Sequence, residues 1–165
     1  MSRLRNHMLE YALAGEYDYY FLVDSDLILR PETLRHLLDQ KKELIAELFF
    51  TEYTPGSGSF WMNAWEFDQY SSNEAMLDKW MNQPGVYPCG GTGACFLMSS
   101  RVFQAGVNYD PISSLRCLWG EDRWFCLRAV VHGFEIFVDN QCRPIHLYRR
   151  SVYEQYKSGN LLSPH

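Results

Sequence analysis

The chain has 165 residues, a formal net charge of −5, 47% hydrophobic and 21% charged residues. That length fits one domain with a real core. The acidic balance, with no long run of Lys or Arg, disfavours a nucleic-acid partner. No stretch of 18 or more apolar residues occurs, so no transmembrane segment is predicted, and composition leaves peripheral membrane contact open.

The first 15 residues, MSRLRNHMLEYALAG, are amphipathic and predict a helix over 2–14, with Leu4, Met8, Leu9, Ala12 and Leu13 near a 3.6 period and Gly15 as the stop. They do not form the apolar core of a signal peptide. Residues 18–23 are apolar on both faces, which predicts a buried strand. Pro31 suits a first helical position, and a helix follows from Thr33 to about Glu43. LIAELFF, residues 44–50, extends that helix or forms a strand, and the strand is favoured for its end. TPGSGS, residues 54–59, reads as a loop. Residues 60–88 read as irregular and aromatic. GGTGACFLMSS leads through glycines into a strand over 94–98, then a short helix over 101–105. GEDRWFCLRAVVHG, residues 120–133, is the clearest helix, acidic in its first turn and closed by Gly133. Residues 134–140 alternate as a strand, and residues 151–165 read as a tail or a loose helix after a domain spanning 1–150. Alternating strands and helices predict an α/β fold, a three-layer α/β/α sandwich around a mainly parallel sheet.

The five cysteines, Cys89, Cys95, Cys117, Cys126 and Cys142, make no paired C-x-x-C knuckles. Structural zinc is not expected from that spacing, and a reduced, cytoplasmic chain is.

The chemistry concentrates where the first strand ends, in YYFLVDSD. In α/β sheets ligands bind beyond the carboxyl ends of strands. By strand alternation Asp24 and Asp26 share a face, and two carboxylates there suit Mg²⁺ or Mn²⁺. The competing reading is that either one caps the following turn or helix. Glu121 and Asp122 open a helix and offer a general base, or a cap. His146, after a strand and a proline, can complete an Asp-based metal site or be structural. The glycines of GGTGA let backbone approach a ligand, or simply make a turn.

The order of these segments, YYFLVDSD, GTGACFLMSSRVF, GEDRWFCLRAVVHGF and a final His, resembles the catalytic half of GT-A-fold glycosyltransferases, close to the inverting family 2 group. The likeness runs from about residue 3 to residue 147. It implies a GT-A-type fold truncated at its N-terminus, since the family's strands that grip the nucleobase precede this region. It implies a UDP- or GDP-linked sugar donor, an acceptor hydroxyl and a Mn²⁺ or Mg²⁺ cofactor. Asp24, Asp26 and His146 would hold the metal. Asp24, Asp26, Arg5, Asn6, Gly91 and Gly93 would line the donor. Asp122 would be the base, with Glu121 beside it. Trp61, Trp65 and Trp119 could stack on sugars or belong to the core.

Glycosyl transfer to a hydroxyl is therefore the expected activity. One alternative is a non-catalytic remnant or scaffold of the same fold. A metal-dependent phosphoesterase or nucleotidyltransferase ranks below both, because it would want more acidic groups around two metals. An exposed sheet edge would also allow pairing with a second copy.

Overall fold

The structure is a computed structural model, and it describes residues 1–54, 56–66, 74–115 and 120–159. The elements run α1 (Ser2–Ala14), β1 (Tyr19–Leu22), β2 (Leu27–Ile28), α2 (Thr33–Asp39), β3 (Leu44–Glu47), β4 (Phe50–Thr51), β5 (Trp61–Met62), β6 (Ala64–Trp65), α3 (Glu74–Asn82), β7 (Val86–Cys89), β8 (Gly91–Thr92), β9 (Phe96–Ser99), α4 (Ser100–Gln104), α5 (Glu121–Val131), β10 (Ile136–Asp139), β11 (Ile145–His146) and α6 (Arg150–Lys157). The chain is thus mixed α/β.

The main sheet has five strands in the order β1-β9-β3-β10-β7. The sequence expectation of a mainly parallel sheet is overturned: only β3–β10 is parallel, while β1–β9, β3–β9 and β7–β10 are antiparallel. An apolar run fixes that a strand is buried but not which way it travels. Here β9 wedges between β1 and β3 against their direction. Helices cover both faces, as expected for three layers. Leu9 and Ala12 of α1, Val102 and Phe103 of α4, and Phe125 and Ala129 of α5 pack with Leu44, Ala46, Phe96 and Met98 on one face. Leu37 of α2 packs with Ile45 and Leu97 on the other. Burying each of the Leu, Ile, Val, Phe and Met side chains among them contributes roughly 1.5–3 kcal/mol.

Other local expectations fare unevenly. LIAELFF is strand at its beginning, β3, rather than only at its end. The sequence predicts an irregular segment over 60–88, yet its described part holds β5, β6, α3 and β7. Its pairs are two residues long, below what alternation can show, and Trp80 of α3 is buried among Leu48, Ala64 and Val138. Gly133 does close α5: at φ +85 it lets Phe134 N–H reach the Ala129 carbonyl and its own N–H reach Val130. At the end of α1 the left-handed residue is Glu16, not Gly15. The C-terminal segment carries α6, none of whose residues is buried.

Glu47 is a fully buried carboxyl at the end of β3. Burial, then the neighbouring Asp139, push it up from 4.5 to about 8. The folded state therefore holds this proton more tightly than the unfolded chain. In chelator-treated protein, stability should fall as pH rises from about 4.5 to about 8, by up to about 1.4 kcal/mol per unit, and level off above. Glu47→Gln should remove that slope in urea titrations run across the window. An unchanged slope would contradict the buried protonated carboxyl.

Candidate metal and acid–base site

Arg5 is the centre of the site. It lies on α1 and is 5% exposed. Its guanidinium is within 3.6 Å of Asp24 and 3.7 Å of Glu121, and it pairs with Asp122 at close hydrogen-bonding contact. It also sits 5.4 Å from the centre of the Tyr109 ring. One buried cation thus gathers three carboxylates from two distant parts of the chain, the end of the first strand and the start of α5. Among the described residues these ion pairs set one positive charge against three negative ones. Arg5→Met should cost about 2 kcal/mol in urea unfolding, less than for a fully buried pair because the carboxylates are partly wet. Added Mn²⁺ should recover part of that loss, since it supplies the missing positive charge. Unaltered stability would mean the ion pairs carry no weight.

The capping alternatives are not met. The N-cap of α5 is Gly120, at φ +108, which has no side chain. Glu121 and Asp122 follow in the first turn, where the helix dipole favours negative charge. After Asp24 and Asp26 the next helix begins only at Thr33, with Glu32 at its N-cap position.

The two aspartates do not share a face in the expected manner. The chain turns at Ser25–Asp26, closed by Leu27 N–H on the Asp24 carbonyl, so strand alternation ends before Asp26. Asp24 meets Arg5, whereas Asp26 meets His146: Oδ2 lies 3.2 Å from Nε2. His146 is brought there by the β2–β11 pair, in which it stands opposite Leu27, and Leu147 N–H binds the Asp26 carbonyl. On its other side His146 Nδ1 lies 2.7 Å from the Thr51 hydroxyl, and Phe49 packs edge-on against the ring at 5.0 Å. Thr51 was not singled out in the sequence. Nothing marks a threonine as a histidine's partner until β4 and β11 are placed side by side.

Gly93 is shaped by Asp122: a Cβ there would meet the Asp122 carboxylate oxygen at 2.5 Å. Its N–H and carbonyl are both held by Asn63. The next two residues, Ala94 and Cys95, are both left-handed, at φ 57 and 43. Non-glycine residues there cost about 1–3 kcal/mol each, and such strain concentrates at functional sites. Gly91 serves differently: its open face is taken by the Trp65 indole, at 2.4 Å from a would-be Cβ, so it makes room for a ring of this chain. Trp65 is in turn covered by the Arg123 guanidinium at 4.5 Å. Asn6 binds Asp110 and the Tyr109 N–H, fixing the segment behind Arg5 instead of facing the carboxylates. Trp119 lies outside the described residues.

Trp61 is more than half exposed. It belongs to an aromatic run that starts at His146. His146 is 5.5 Å from Tyr148, Tyr148 is 5.1 Å from Tyr53, and Tyr53 is 6.5 Å from Trp61. These tilted and edge-on, half-wet rings leave aromatic faces open to a ligand.

No protein-family model matches the chain. Two curated relatives are procollagen-lysine,2-oxoglutarate 5-dioxygenase 2 of Homo sapiens, 25% identical over 147 residues, and of Mus musculus, 24% identical over 147 residues. Each match covers 85% of this chain, and the chain spans about a fifth (19%) of the length of those relatives. Among solved structures, the crystal structure of A197 from STIV shares the fold, with a TM-score of 0.55 over 88% of this chain and 66% of that one, at 11% identity. No helix among the described residues is long and apolar enough to cross a membrane.

Proposed function

We propose that this chain is a GT-A-type glycosyltransferase domain that moves a sugar from a nucleoside diphosphate to an acceptor hydroxyl with the help of a divalent cation. The observation that carries this reading is the convergence on Arg5: the D-S-D turn and the Glu121–Asp122 helix start, about a hundred residues apart, meet there.

The ligand atoms fit a cation. Asp26 Oδ2 and His146 Nε2 are 3.2 Å apart, close to the separation of about 3 Å for neighbouring ligands of an octahedral Mg²⁺-like ion. A proton bridges that gap in one tautomer of His146. In the other, Nδ1–H donates to Thr51 and Nε2 is left as a ligand. While Asp24 stays with Arg5, Asp26 and His146 would hold the ion. When bound, it would neutralise charge growing on the departing diphosphate.

The chain's own residues supply the rest. Asp122 takes the proton of the acceptor hydroxyl as that oxygen attacks the sugar's anomeric carbon and the bond to the diphosphate breaks. Arg5 positions Asp122, and Glu121 stands next to it. Trp61, Tyr53 and Tyr148 offer an aromatic surface for the acceptor.

The relatives' printed name suggests a second reading, 2-oxoglutarate-dependent oxidation. Non-haem iron oxygenases use two His and one carboxylate on one face of the metal. Among the described residues the Asp26 centre carries one His, which fits the transferase better.

The activity test is release of UDP or GDP from nucleotide-sugars, with and without Mn²⁺. Metal-dependent release is expected. Release at the same rate in chelator would contradict the proposal. Thr51→Val should weaken Mn²⁺ binding by about 10- to 100-fold, the usual effect of removing a ligand's orienting partner, and this is read by Mn²⁺ titration. Unchanged affinity would show that Thr51 does not orient His146.

A further inference from the structure

A second cluster involves α2, which packs on the sheet face opposite α1, and it shares no residue with the Arg5 and Asp26 groups. His36 of α2, Glu47 at the end of β3 and Cys142 after β10 place one ligand atom each within 4.8 Å of one another. Asp139, opposite Glu47 on the parallel strand, lies 2.8 Å from His36 Nε2. Glu47 and Asp139 are fully buried, and Cys142 is 6% exposed.

The polar accounting here is incomplete on one atom. Asp139 is satisfied: Oδ1 accepts the Gln141 N–H, and Oδ2 faces His36 and the Gln141 amide. Glu47 Oε2 accepts the Cys142 N–H at 3.3 Å. Glu47 Oε1 is buried with no hydrogen-bond partner. Arg143, near enough to weigh on Glu47, directs donors to the carbonyls of Asn140, Trp80 and Met81. A buried acceptor without a partner costs about 1–3 kcal/mol and calls for an explanation. A cation beside it is one that the neighbouring groups can hold.

We propose that His36, Glu47 and Cys142, with Asp139 as a carboxylate neighbour, form a zinc-binding site that ties α2 to the ends of β3 and β10. A thiolate, an imidazole and carboxylates drawn from separate elements make a four-group set suited to tetrahedral Zn²⁺, whereas the oxygen-rich D-S-D turn suits Mn²⁺ or Mg²⁺. The ligands stand at positions 36, 47 and 142, so no C-x-x-C spacing announces them. On binding, the Cys142 S–H proton and the Glu47 carboxyl proton leave to solvent as the Zn–S and Zn–O bonds form.

The test uses the full chain, stripped with chelator and titrated with Co²⁺. A sulfur-to-cobalt charge-transfer band at one Co²⁺ per chain, displaced by Zn²⁺, is expected. Cys142→Ser should abolish the band, His36→Ala should weaken Zn²⁺ binding at least tenfold, and Asp26→Ala should leave the band in place. Absence of the band in folded protein, or its survival in Cys142→Ser, would overturn the site. If Cys142→Ser does not fold, X-ray absorption of the wild-type zinc protein decides. One sulfur with nitrogen and oxygen neighbours supports the site, and any other sulfur count overturns it. Because the readout is at sulfur, it stands or falls separately from the transferase reading.

Discussion

Asp122→Asn should leave nucleotide-sugar binding within a few-fold of wild type and slow nucleotide release by about 10²- to 10⁴-fold, the usual contribution of a positioned base. The substitution keeps the shape. Asn fits against Gly93 as Asp does, and its side-chain oxygen can still accept from Arg5. What it loses is the ability to take a proton. Arg5 keeps Asp24 and Glu121 as partners, so the fold should survive. Affinity by calorimetry and turnover by product release separate the two effects. Undiminished turnover would remove Asp122 as the base. A parallel loss of binding would recast it as a donor contact.

Asp26→Ala should weaken Mn²⁺-dependent nucleotide binding by at least about 100-fold, more than the loss of an orienting partner causes. It should do so with little change in stability. The Asp26 side chain is 44% exposed, its side-chain partner among the described residues is His146, and the backbone carbonyl that receives Leu147 N–H is retained. Exposed substitutions of this kind usually shift stability by no more than about 0.5 kcal/mol. Thermal unfolding alongside nucleotide titration checks both halves. Equal binding by the variant would remove Asp26 from the metal site.

The long, strongly patterned elements were legible from sequence. The helix over 2–14, the strand before D-S-D and the acidic-started helix after Gly120 stand where they are expected, although α1 buries Arg5, Leu9 and Ala12 and leaves Leu4, Met8 and Leu13 exposed, and β1 packs on both faces. Strand direction was not legible. The same FLMS run serves a parallel or an antiparallel β9, and the choice is made by which edges are free when β1 and β3 come together. The short ladders β4–β5 and β6–β8 were missed because two residues show no alternation.

The site was legible in its residues and not in its wiring. D-S-D and the Glu-Asp helix start could be named, but a strand's alternation wrongly joined Asp24 to Asp26. The turn at Ser25 sends one carboxylate to Arg5 and the other to His146. Arg5 was named for a donor, and what its position shows is a counter-charge to three carboxylates. The Glu47 cluster left a trace in the sequence, a lone carboxylate inside the apolar run LIAELFF. Its partners, His36 and Cys142, are joined to it only by the packing of α2 and the turn after β10.

The most direct test of the central claim is calorimetric titration of the purified chain with UDP and GDP, in Mn²⁺ and in chelator. The account predicts binding of at least one nucleotide in Mn²⁺ and its loss on chelation. A folded protein that binds neither in Mn²⁺ would contradict a donor site on this chain and leave the D-S-D turn, Arg5 and Asp122 as parts of a scaffold.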